Sequence, residues 1–415
     1  MEILFYRYGS ICEPDMIEAF EKLGITVVEE KSMITDKGRK PSDIVQDVVD
    51  MLRGRRFIFV FSVNFFPPVS EICQIAGVPY VCWTVDCPVL ELFSPSLSNP
   101  CNRVFLFDRN QYLYFKDRNP GKIFHLPLGS NPDRWDKVIA GASTNDAGRF
   151  AGDVSFVGSL YSEKNPYRRL DNISEYAKGY IRGIVEAQLQ IYGYNFIGEM
   201  LDEKIMEEVK KIIPDMQQPL INGDKEAERY LMANCFVGTE IAEEERERIF
   251  AKLGKNCAVD LYTRSYTEGL EEKCKAAGTE IFFDRKEKSD LCGVHIRDGV
   301  RTLDEMPLVF NKSRINLNIT MRPISSGLSL RIFDICACGG MLLTNYQEEL
   351  PEMYEPGVEV EMYSSQEELC DKVAYYLEHD SERQRIARRG YEKTVSAHRW
   401  DLRMSEMISM IYKTL

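Results

Sequence analysis

The sequence predicts an α/β protein with two doubly wound parallel sheets and a helical insertion in the second domain. Short apolar runs alternate with helical patterns over about the first 130 residues, a turn-rich stretch follows at 129–152, and the alternation then resumes. Strand–helix alternation is typical of parallel sheets. With 415 residues the chain exceeds what one core ordinarily serves, so two domains are expected.

The first domain is predicted over residues 1–150. Its buried strands are Ile3–Tyr6, Thr26–Val28, Phe57–Phe61, Tyr80–Trp83, Val104–Phe107 and Ile123–Leu126. Helical patterns separate most of them, for example at Asp15–Leu23 and at Asp43–Leu52, where Pro41 precedes the helix. A binding site is therefore expected at the carboxyl ends of the strands.

The second domain is predicted over residues 151–396, with helices at about 163–253. After a strand in "DVSFVGS", the later strands are Cys257–Tyr262, Glu280–Phe283, Leu291–Ile296, Ile315–Ile319, Met341–Thr344 and Val358–Tyr363. The helices Gln366–His379 and Ser381–Ser396 follow, and residues 397–415 hold a last helix, Trp400–Lys413. Two such domains predict a cleft between them.

Composition narrows the class of protein. A formal net charge of −13 argues against general binding to nucleic acid or anionic membranes. No apolar run approaches the roughly 18 residues of a spanning helix, and Met1 leads into a strand rather than a signal peptide. The 12 cysteines and four histidines are scattered without zinc-type spacing, so we expect a cytoplasmic, metal-free protein.

One stretch near the C-terminus, "RPISSGLSLRIFDICACGGMLLTN", combines small residues with a mostly apolar helix at Leu328–Cys338. The small residues Ser325–Gly327 offer hydroxyls and backbone N–H groups suited to a diphosphate. Asp334 should lie about 10–12 Å further along the axis, near the ribose hydroxyls of a bound nucleotide. The alternative is an i,i+3 ion pair between Arg331 and Asp334 on a solvated face.

A longer series carries a resemblance to a known family. The segment "GLSLRIFDICACGGMLLTNYQEELPEMYEPGVEVEMYSSQEEL" resembles the C-terminal domain of the CgeB-type (spore-maturation) glycosyltransferases, which belong to the GT-B-fold transferases that use nucleotide sugars. Upstream, "FVFSVNFFPPVSEICQIAGVPYVCWTVDCP" and "HLPLGSNPDRW" resemble the N-terminal domain that accompanies it. The resemblance covers nearly the whole chain and implies a GT-B fold with two Rossmann-like domains.

The resemblance implies roles for residues of the C-terminal stretch. Related GT-B enzymes carry a Glu-x7-Glu motif whose second Glu binds the ribose, and Asp334 takes that place. Eight residues earlier stands Ser326 instead of Glu, so Ser325, Ser326 and Gly327 are assigned to the diphosphate. Arg331 is included in the donor site. Arg322 is placed to neutralise phosphate, the alternative being a surface role.

Two further loops are implied to bind the donor. Gly158 and Ser159 match the position where such enzymes approach the phosphates. Lys164, Arg168 and Arg169 are candidate cations, or solvated charges at the start of the insertion. "HIRDGVRTLDEMPLVFNKSRINLNIT" resembles the segment that holds the base, so the backbone of Gly299, Val300 and Arg301 is expected to read the base edge. The alternative is an ordinary β–α loop.

The first domain is expected to bind the acceptor. An inverting reaction needs a general base, and the candidates are Asp86, Asp108 and His125. Asp86 follows an apolar strand, and the alternative is that it caps the turn before Pro88. Four residues after strands are predicted to face the acceptor, or to be turn residues only: Arg7, Gly9, Ser10 and Asn64.

The resemblance therefore implies an enzyme, a glycosyltransferase that moves a sugar from a UDP- or dTDP-linked donor to a hydroxyl of a protein or surface glycan. No metal or other cofactor, no nucleic acid and no membrane span are expected. Two alternatives stay open, a non-hydrolysing sugar-nucleotide epimerase and a non-catalytic nucleotide-sugar-binding protein. Inversion or retention, the sugar and the oligomeric state are left open.

Overall fold

A computed structural model describes residues 1–35, 41–218, 220–221, 223–285 and 291–414. The chain divides into two compact units, the first made of Met1–Ser130 with Ala397–Leu415 and the second of Asn131–Ser396. The sequence prediction placed the first boundary at residue 150, whereas the second unit begins at Asn131.

The first unit begins with a strand and alternates strands with helices. Its elements are β1 (Glu2–Tyr6), α1 (Glu13–Lys22), β2 (Thr26–Glu30), α2 (Ser32–Thr35), α3 (Pro41–Gly54), β3 (Val60–Val63), α4 (Pro67–Ala76), β4 (Tyr80–Trp83), β5 (Asn102–Leu106), α5 (Arg109–Phe115) and β6 (Ile123–His125). In the described residues the strands form a parallel sheet in the order β2-β1-β3-β4-β5-β6. The strand order reverses between β1 and β3, so the carboxyl ends of these two strands flank a switch point.

The second unit contains the remaining strands and the helical insertion. Its elements are α6 (Pro132–Ala140), α7 (Thr144–Phe150), β7 (Gly152–Val157), α8 (Glu175–Leu189), α9 (Ile197–Met200), α10 (Glu203–Ile212), α11 (Lys225–Tyr230), α12 (Gly238–Leu253), β8 (Ala258–Thr263), α13 (Glu268–Ala277), β9 (Ile281–Phe282), β10 (Gly293–Asp298), α14 (Met306–Lys312), β11 (Ser313–Asn318), α15 (Leu330–Ala337), β12 (Leu342–Asn345), α16 (Leu350–Met353), β13 (Glu361–Tyr363), α17 (Gln366–Glu378) and α18 (Asp380–Ala397).

Within the described part of this unit the strands are again parallel, in the order β13-β12-β11-β7-β8-β10-β9. Strands β8 to β10 lie on one side of β7 and strands β11 to β13 on the other. The switch point of this sheet therefore lies between β7 and β11, where the chain continues at Gly158 and Ile319.

Helices cover both sheets and explain the boundary at Asn131. Helices α6 and α7 pack on α14, which places residues 131–150 with the second unit. Helices α8 to α12 occupy the stretch predicted as a helical insertion, with a π-helical segment at Leu231–Val237 before α12. The last helix, α19 (Trp400–Tyr412), packs on α1 in the first unit, and the Trp400 ring lies edge-on to Trp83 at 5.3 Å between centroids.

Candidate active site

The loop after β7 forms an ordered turn at the switch point of the second sheet. The Gly158 N–H donates to the Tyr262 carbonyl at 3.1 Å. The Ser159 hydroxyl donates to Glu163 at 2.7 Å and accepts from the Tyr161 N–H at 2.7 Å. The Ser159 side chain is thus used inside the loop, which leaves the backbone as the part of this turn suited to phosphate.

The predicted cations of this region differ in their partners. Lys164 is exposed, and its Nζ lies 4.8 Å from the centroid of the Tyr161 ring. Arg168 pairs with Glu243 at 2.7 Å and Arg169 with Asp215 at 2.8 Å, both on the insertion. Lys164 therefore fits a phosphate-binding role, whereas Arg168 and Arg169 already have carboxylate partners on the insertion.

Ser326 is buried and holds its loop against the segment after β12. Its hydroxyl donates to the Glu349 carboxylate at 2.8 Å, and the Glu349 N–H donates to the Ser326 carbonyl at 3.1 Å. Both residues are 0% exposed. Ser326 thus fixes the loop rather than reaching a substrate, while the half-buried Ser325 precedes it and the buried Gly327 follows.

Helix α15 starts later than predicted. Ser329 is its N-cap and Leu330 its first residue. Asp334 lies five residues after this cap, about 7.5 Å along the axis, whereas the predicted 10–12 Å was counted from Ser325–Gly327. The predicted helix start at Leu328 was wrong, because Leu328 continues the apolar pattern and is buried although it precedes the helix.

The Asp334 carboxylate lies in a protected position beside Arg331. Asp334 is 4% exposed, and Arg331 Nη1 lies 3.9 Å from its Oδ2. The Arg331 guanidinium also contacts the Met306 sulfur and lies 5.4 Å from the Phe310 ring centroid. The i,i+3 pair exists, but it is long and is not on a solvated face. The ribose role of Asp334 stays a prediction.

Arg322 does not fit the predicted phosphate role. It is 5% exposed and forms two hydrogen bonds with the buried Glu245, at 2.8 and 3.1 Å. Its guanidinium also lies 4.2 Å from the Tyr192 ring centroid. Because a carboxylate already neutralises its charge inside the fold, Arg322 is a structural residue.

A cavity of about 510 Å³ opens at the carboxyl ends of β8 and β10. It is lined by Thr263, Arg264, Ser265, Tyr266, Thr267, Glu268, Arg285, Ile296, Asp298 and Gly299. At Gly299 an added Cβ would lie 2.7 Å from Arg264 Cγ, so a glycine is needed where this arginine packs on the loop. The volume lies within the range of small-molecule sites.

The structure divides the predicted base-binding loop. Gly299 lines the cavity, but Val300 packs on the apolar cluster that contains Tyr262 and Leu308. The Arg301 side chain pairs with Asp304 at 2.9 Å and Glu305 at 3.3 Å, in its own turn. The loop after β8, residues 263–268, lines the cavity and was missed, although polar residues after an apolar strand could have indicated it.

The side chains of the two Asn residues in β11 form hydrogen bonds inside the fold. Asn316 accepts from Ser155 at 2.8 Å and donates to the Phe310 carbonyl at 2.9 Å. Asn318 donates to Thr320 and Thr344, each at 2.9 Å. Asn316 therefore links β11 to β7 and α14, and Asn318 links the carboxyl ends of β11 and β12.

In the first unit, two predicted residues come together at the strand ends. Asn64, directly after β3, donates to Asp86 Oδ2 at 2.6 Å and to the Tyr8 hydroxyl at 2.8 Å. Asp86 follows β4 and is exposed. Burial, together with the Asp86 carboxylate, raises the pKa of Tyr8, so its hydroxyl keeps its proton at neutral pH.

The loop after β1 is already paired with a carboxylate. Glu13, which is 0% exposed, accepts from the N–H groups of Tyr8 at 3.0 Å and Gly9 at 3.1 Å. It also accepts from Arg7 Nε at 3.0 Å. The Ser10 hydroxyl lies 3.3 Å from Cys12 Sγ. Gly9 has φ +96°, which requires glycine, so Arg7 and the loop backbone have structural partners.

The other two predicted catalytic residues are placed differently. Asp108 is 0% exposed and caps helix α5, accepting from the Gln111 N–H at 2.7 Å. A buried cap does not reach an acceptor, so the assignment of Asp108 as a base does not fit. His125 is half-buried at the end of β6, with its ring 6.3 Å from Tyr112.

None of the helices in the described ranges has the length and apolar character that crossing a bilayer requires. Nor do these residues place three or more His, Cys, Asp or Glu side chains together as metal ligands.

Comparisons with known proteins fit this geometry. Residues 261–409 match the family model described as glycosyl transferase-like. HepE from Anabaena, solved in complex with UDP and glucose, is similar over 100% of both chains with a TM-score of 0.54 at 11% identity. A glycosyltransferase from Rickettsia africae is similar over 100% of this chain and 98% of its own, with a TM-score of 0.56 at 9% identity.

A UDP-forming trehalose-phosphate synthase from Burkholderia xenovorans is also similar, over 100% of this chain and 99% of its own, with a TM-score of 0.51 at 11% identity. No curated protein sequence matches the chain. The structural likeness establishes the GT-B fold. The family match adds that residues 261–409 form a glycosyl transferase-like segment within this fold.

Proposed function

We propose that this enzyme transfers a sugar from a UDP- or dTDP-linked donor to a hydroxyl of a protein or surface glycan, as a CgeB-type transferase without a bound metal or cofactor. The observation that supports it best is one continuous edge of the second sheet. The cavity beside β8 and β10, the turn after β7 and the loop before α15 all follow carboxyl ends of its strands. The complexes of HepE with UDP favour uridine nucleotides.

The cavity is assigned to the base. The Thr263 hydroxyl and the Asp298 carboxylate supply a donor and acceptors for a base edge. Arg264 and Tyr266 add planar groups to the same lining, and planar groups of this kind stack on bases. A pyrimidine base with part of its ribose occupies a cavity of this volume.

The ribose and diphosphate are assigned to the segment from Ser325 to Asp334. A carboxylate is a strong acceptor for a ribose diol, which is the role proposed for Asp334. The amino terminus of α15, the backbone of Gly158 and Ser159, and the exposed Lys164 provide positive potential for the diphosphate. These groups would stabilise the charge of the leaving UDP.

Asp86 is the proposed base of an inverting reaction. It takes the proton of the acceptor hydroxyl while that oxygen bonds to the anomeric carbon. The bond from the anomeric carbon to the diphosphate oxygen breaks, and UDP leaves with the bonding electrons. A retaining reaction needs no such base, so the anomeric configuration of the product decides whether Asp86 has this role.

A thermal-shift panel of UDP, dTDP, GDP and ADP tests the donor site. The matched comparison for UDP is 2′-deoxy-UDP, which lacks one hydroxyl of the ribose diol. We expect UDP or dTDP to stabilise the protein most. If Asp334 accepts hydrogen bonds from the ribose diol, Asp334→Asn should weaken the binding of UDP more than that of 2′-deoxy-UDP. Asp371→Asn, an exposed control on α17, should change the binding of neither nucleotide. Absence of stabilisation by every nucleotide would overturn the proposal.

A further inference from the structure

Arg246 reaches the switch point of the second sheet although it belongs to the helical insertion. It lies on α12, and its guanidinium donates from Nη1 to the Ser159 carbonyl and from Nη2 to the Ile319 carbonyl, the latter at 2.7 Å. Ser159 follows β7 and Ile319 follows β11. One side chain therefore ties together the two chain segments that flank the switch point.

The surroundings of Arg246 hold its guanidinium in place. The residue is 7% exposed, and its guanidinium lies 5.2 Å from the Phe156 ring centroid and 4.7 Å from that of Tyr161. Tyr161 has φ +74°, a conformation uncommon outside glycine. Its hydroxyl contacts the Met321 sulfur at 3.3 Å. A strained residue thus covers the arginine at the end of the loop.

The charge of Arg246 is not balanced by these contacts. Within the described ranges no carboxylate lies within 4.0 Å of it, and its buried Nε has no hydrogen-bond partner. The two carbonyl oxygens accept hydrogen bonds from the guanidinium, but they carry no net charge. By contrast, Arg322 is neutralised by Glu245, and Arg248 on the same helix pairs with Glu186 and Glu244.

A buried cation without a counter-charge is costly unless an anion compensates it. Ligands of doubly wound sheets bind at the switch point, and a nucleoside diphosphate brings negative charge there. We propose that Arg246 is a positioning residue that sets the spacing of the loops after β7 and β11 and supplies the positive potential that selects a diphosphate over an uncharged nucleoside. This inference rests on the proposed nucleotide-sugar donor.

Titrations of UDP and uridine against matched variants test this role. In Arg246→Gln, which removes the charge but keeps an amide donor, we expect UDP affinity to fall about tenfold or more while uridine affinity stays unchanged. Arg246→Lys should keep most of the preference for UDP over uridine. Arg248→Gln removes the same charge from the same helix, away from the switch point, and should leave both affinities unchanged.

The outcomes separate the two proposals. If the wild-type protein binds neither UDP nor another nucleoside diphosphate, the proposed function itself fails. If the wild type binds UDP and a folded Arg246→Gln variant keeps the wild-type ratio of UDP to uridine affinity, only the role of Arg246 is refuted. Should Arg246→Gln not fold, Arg246→Lys decides, because a folded lysine variant that lost the preference for UDP would overturn the charge role.

Discussion

Asn64 donates a hydrogen bond from its side-chain amide to the Asp86 carboxylate over 2.6 Å, joining the ends of β3 and β4. Asn64 adopts φ +60°, a left-handed conformation that asparagine tolerates better than most residues. Its Oδ1 also accepts from the Val85 N–H at 3.0 Å. The backbone of one loop and the amide of the other together orient an exposed carboxylate at a strand end.

Replacing the carboxylate should abolish most of the transfer if Asp86 is the base. We expect Asp86→Asn to lower the rate of acceptor-dependent transfer by roughly 10²–10³-fold, because an amide does not accept the proton. Donor binding, measured by thermal shift, should not change. Asp117→Asn, an exposed aspartate of the same unit, serves as the control. A wild-type rate in Asp86→Asn would show that the base lies elsewhere.

Removing the amide tests whether Asn64 positions that carboxylate. Glycine adopts φ +60° without strain, so Asn64→Gly should change stability by less than about 1 kcal/mol. The transfer rate should fall about tenfold, because Asp86 loses its hydrogen-bond donor. Melting temperature and transfer rate are the measurements. If transfer is unchanged, Asn64 is a turn residue only.

The contact between Ser326 and Glu349 predicts why a carboxylate is not found at position 326. A Glu there would bring a second buried carboxylate against Glu349, so Ser326→Glu should destabilise the second unit. The double variant Ser326→Glu with Glu349→Ala should recover part of that loss, measured as melting temperature. Ser326→Ala should cost about 1–2 kcal/mol, whereas Ser325→Ala should leave stability nearly unchanged.

The fold was largely predictable because apolar runs and helical periodicity are local signals. The strands that the sequence predicts all occur, but β3 lies at Val60–Val63 instead of Phe57–Phe61. Ser62 interrupts the apolar run yet is buried, because its hydroxyl contacts the Tyr80 hydroxyl at 2.6 Å. A cross-strand partner of this kind leaves no local pattern in the sequence. The sequence therefore predicted that the strand exists but not where it begins and ends.

The site was predictable only in part, because the role of a polar residue depends on hydrogen-bond and ion-pair partners that lie far away in the sequence. Asn64 and Asp86 were each chosen for following a strand, and the parallel sheet brings them together. Asp108 was chosen by the same reasoning, and Arg322 for its place before the Ser-Ser-Gly turn, but the α5 backbone and Glu245 already bind them. Arg246 gave no signal, since it is one of six consecutive charged residues in "EEERER" and no periodicity sets it apart.

Glu247 gives the protein a pH-dependent stability. Burial, together with Glu243 and Glu244, raises the pKa of Glu247 to about 8, although Lys273 acts in the opposite direction. The folded state therefore binds this proton more tightly than the unfolded state does. The stability that the bound proton contributes is fully present below the ordinary carboxyl pKa and is lost as pH rises through about 8.

Glu247→Gln should therefore be more stable than the wild type at pH 9, by roughly 4–5 kcal/mol, and within about 1 kcal/mol of it at pH 5. Melting temperatures of both proteins between pH 5 and 9 measure the difference. Glu271→Gln, on α13, is the control and should run parallel to the wild type. A constant difference between Glu247→Gln and wild type across this range would contradict the shifted pKa.

The buried ion pair of Arg322 and Glu245 allows a test of whether Arg322 stabilises the fold or binds phosphate. Arg322→Met leaves the Glu245 carboxylate, which is 0% exposed, without its cation, and should cost about 3–5 kcal/mol. The double variant Arg322→Met with Glu245→Leu removes both charges and should recover most of that loss. Urea unfolding of the wild type, the two single variants and the double variant gives the coupling energy between Arg322 and Glu245.

The UDP affinity of the folded double variant should stay within about threefold of the wild type, because Arg322 is neutralised inside the fold. A loss of UDP affinity in the stable double variant would instead return Arg322 to the phosphate site.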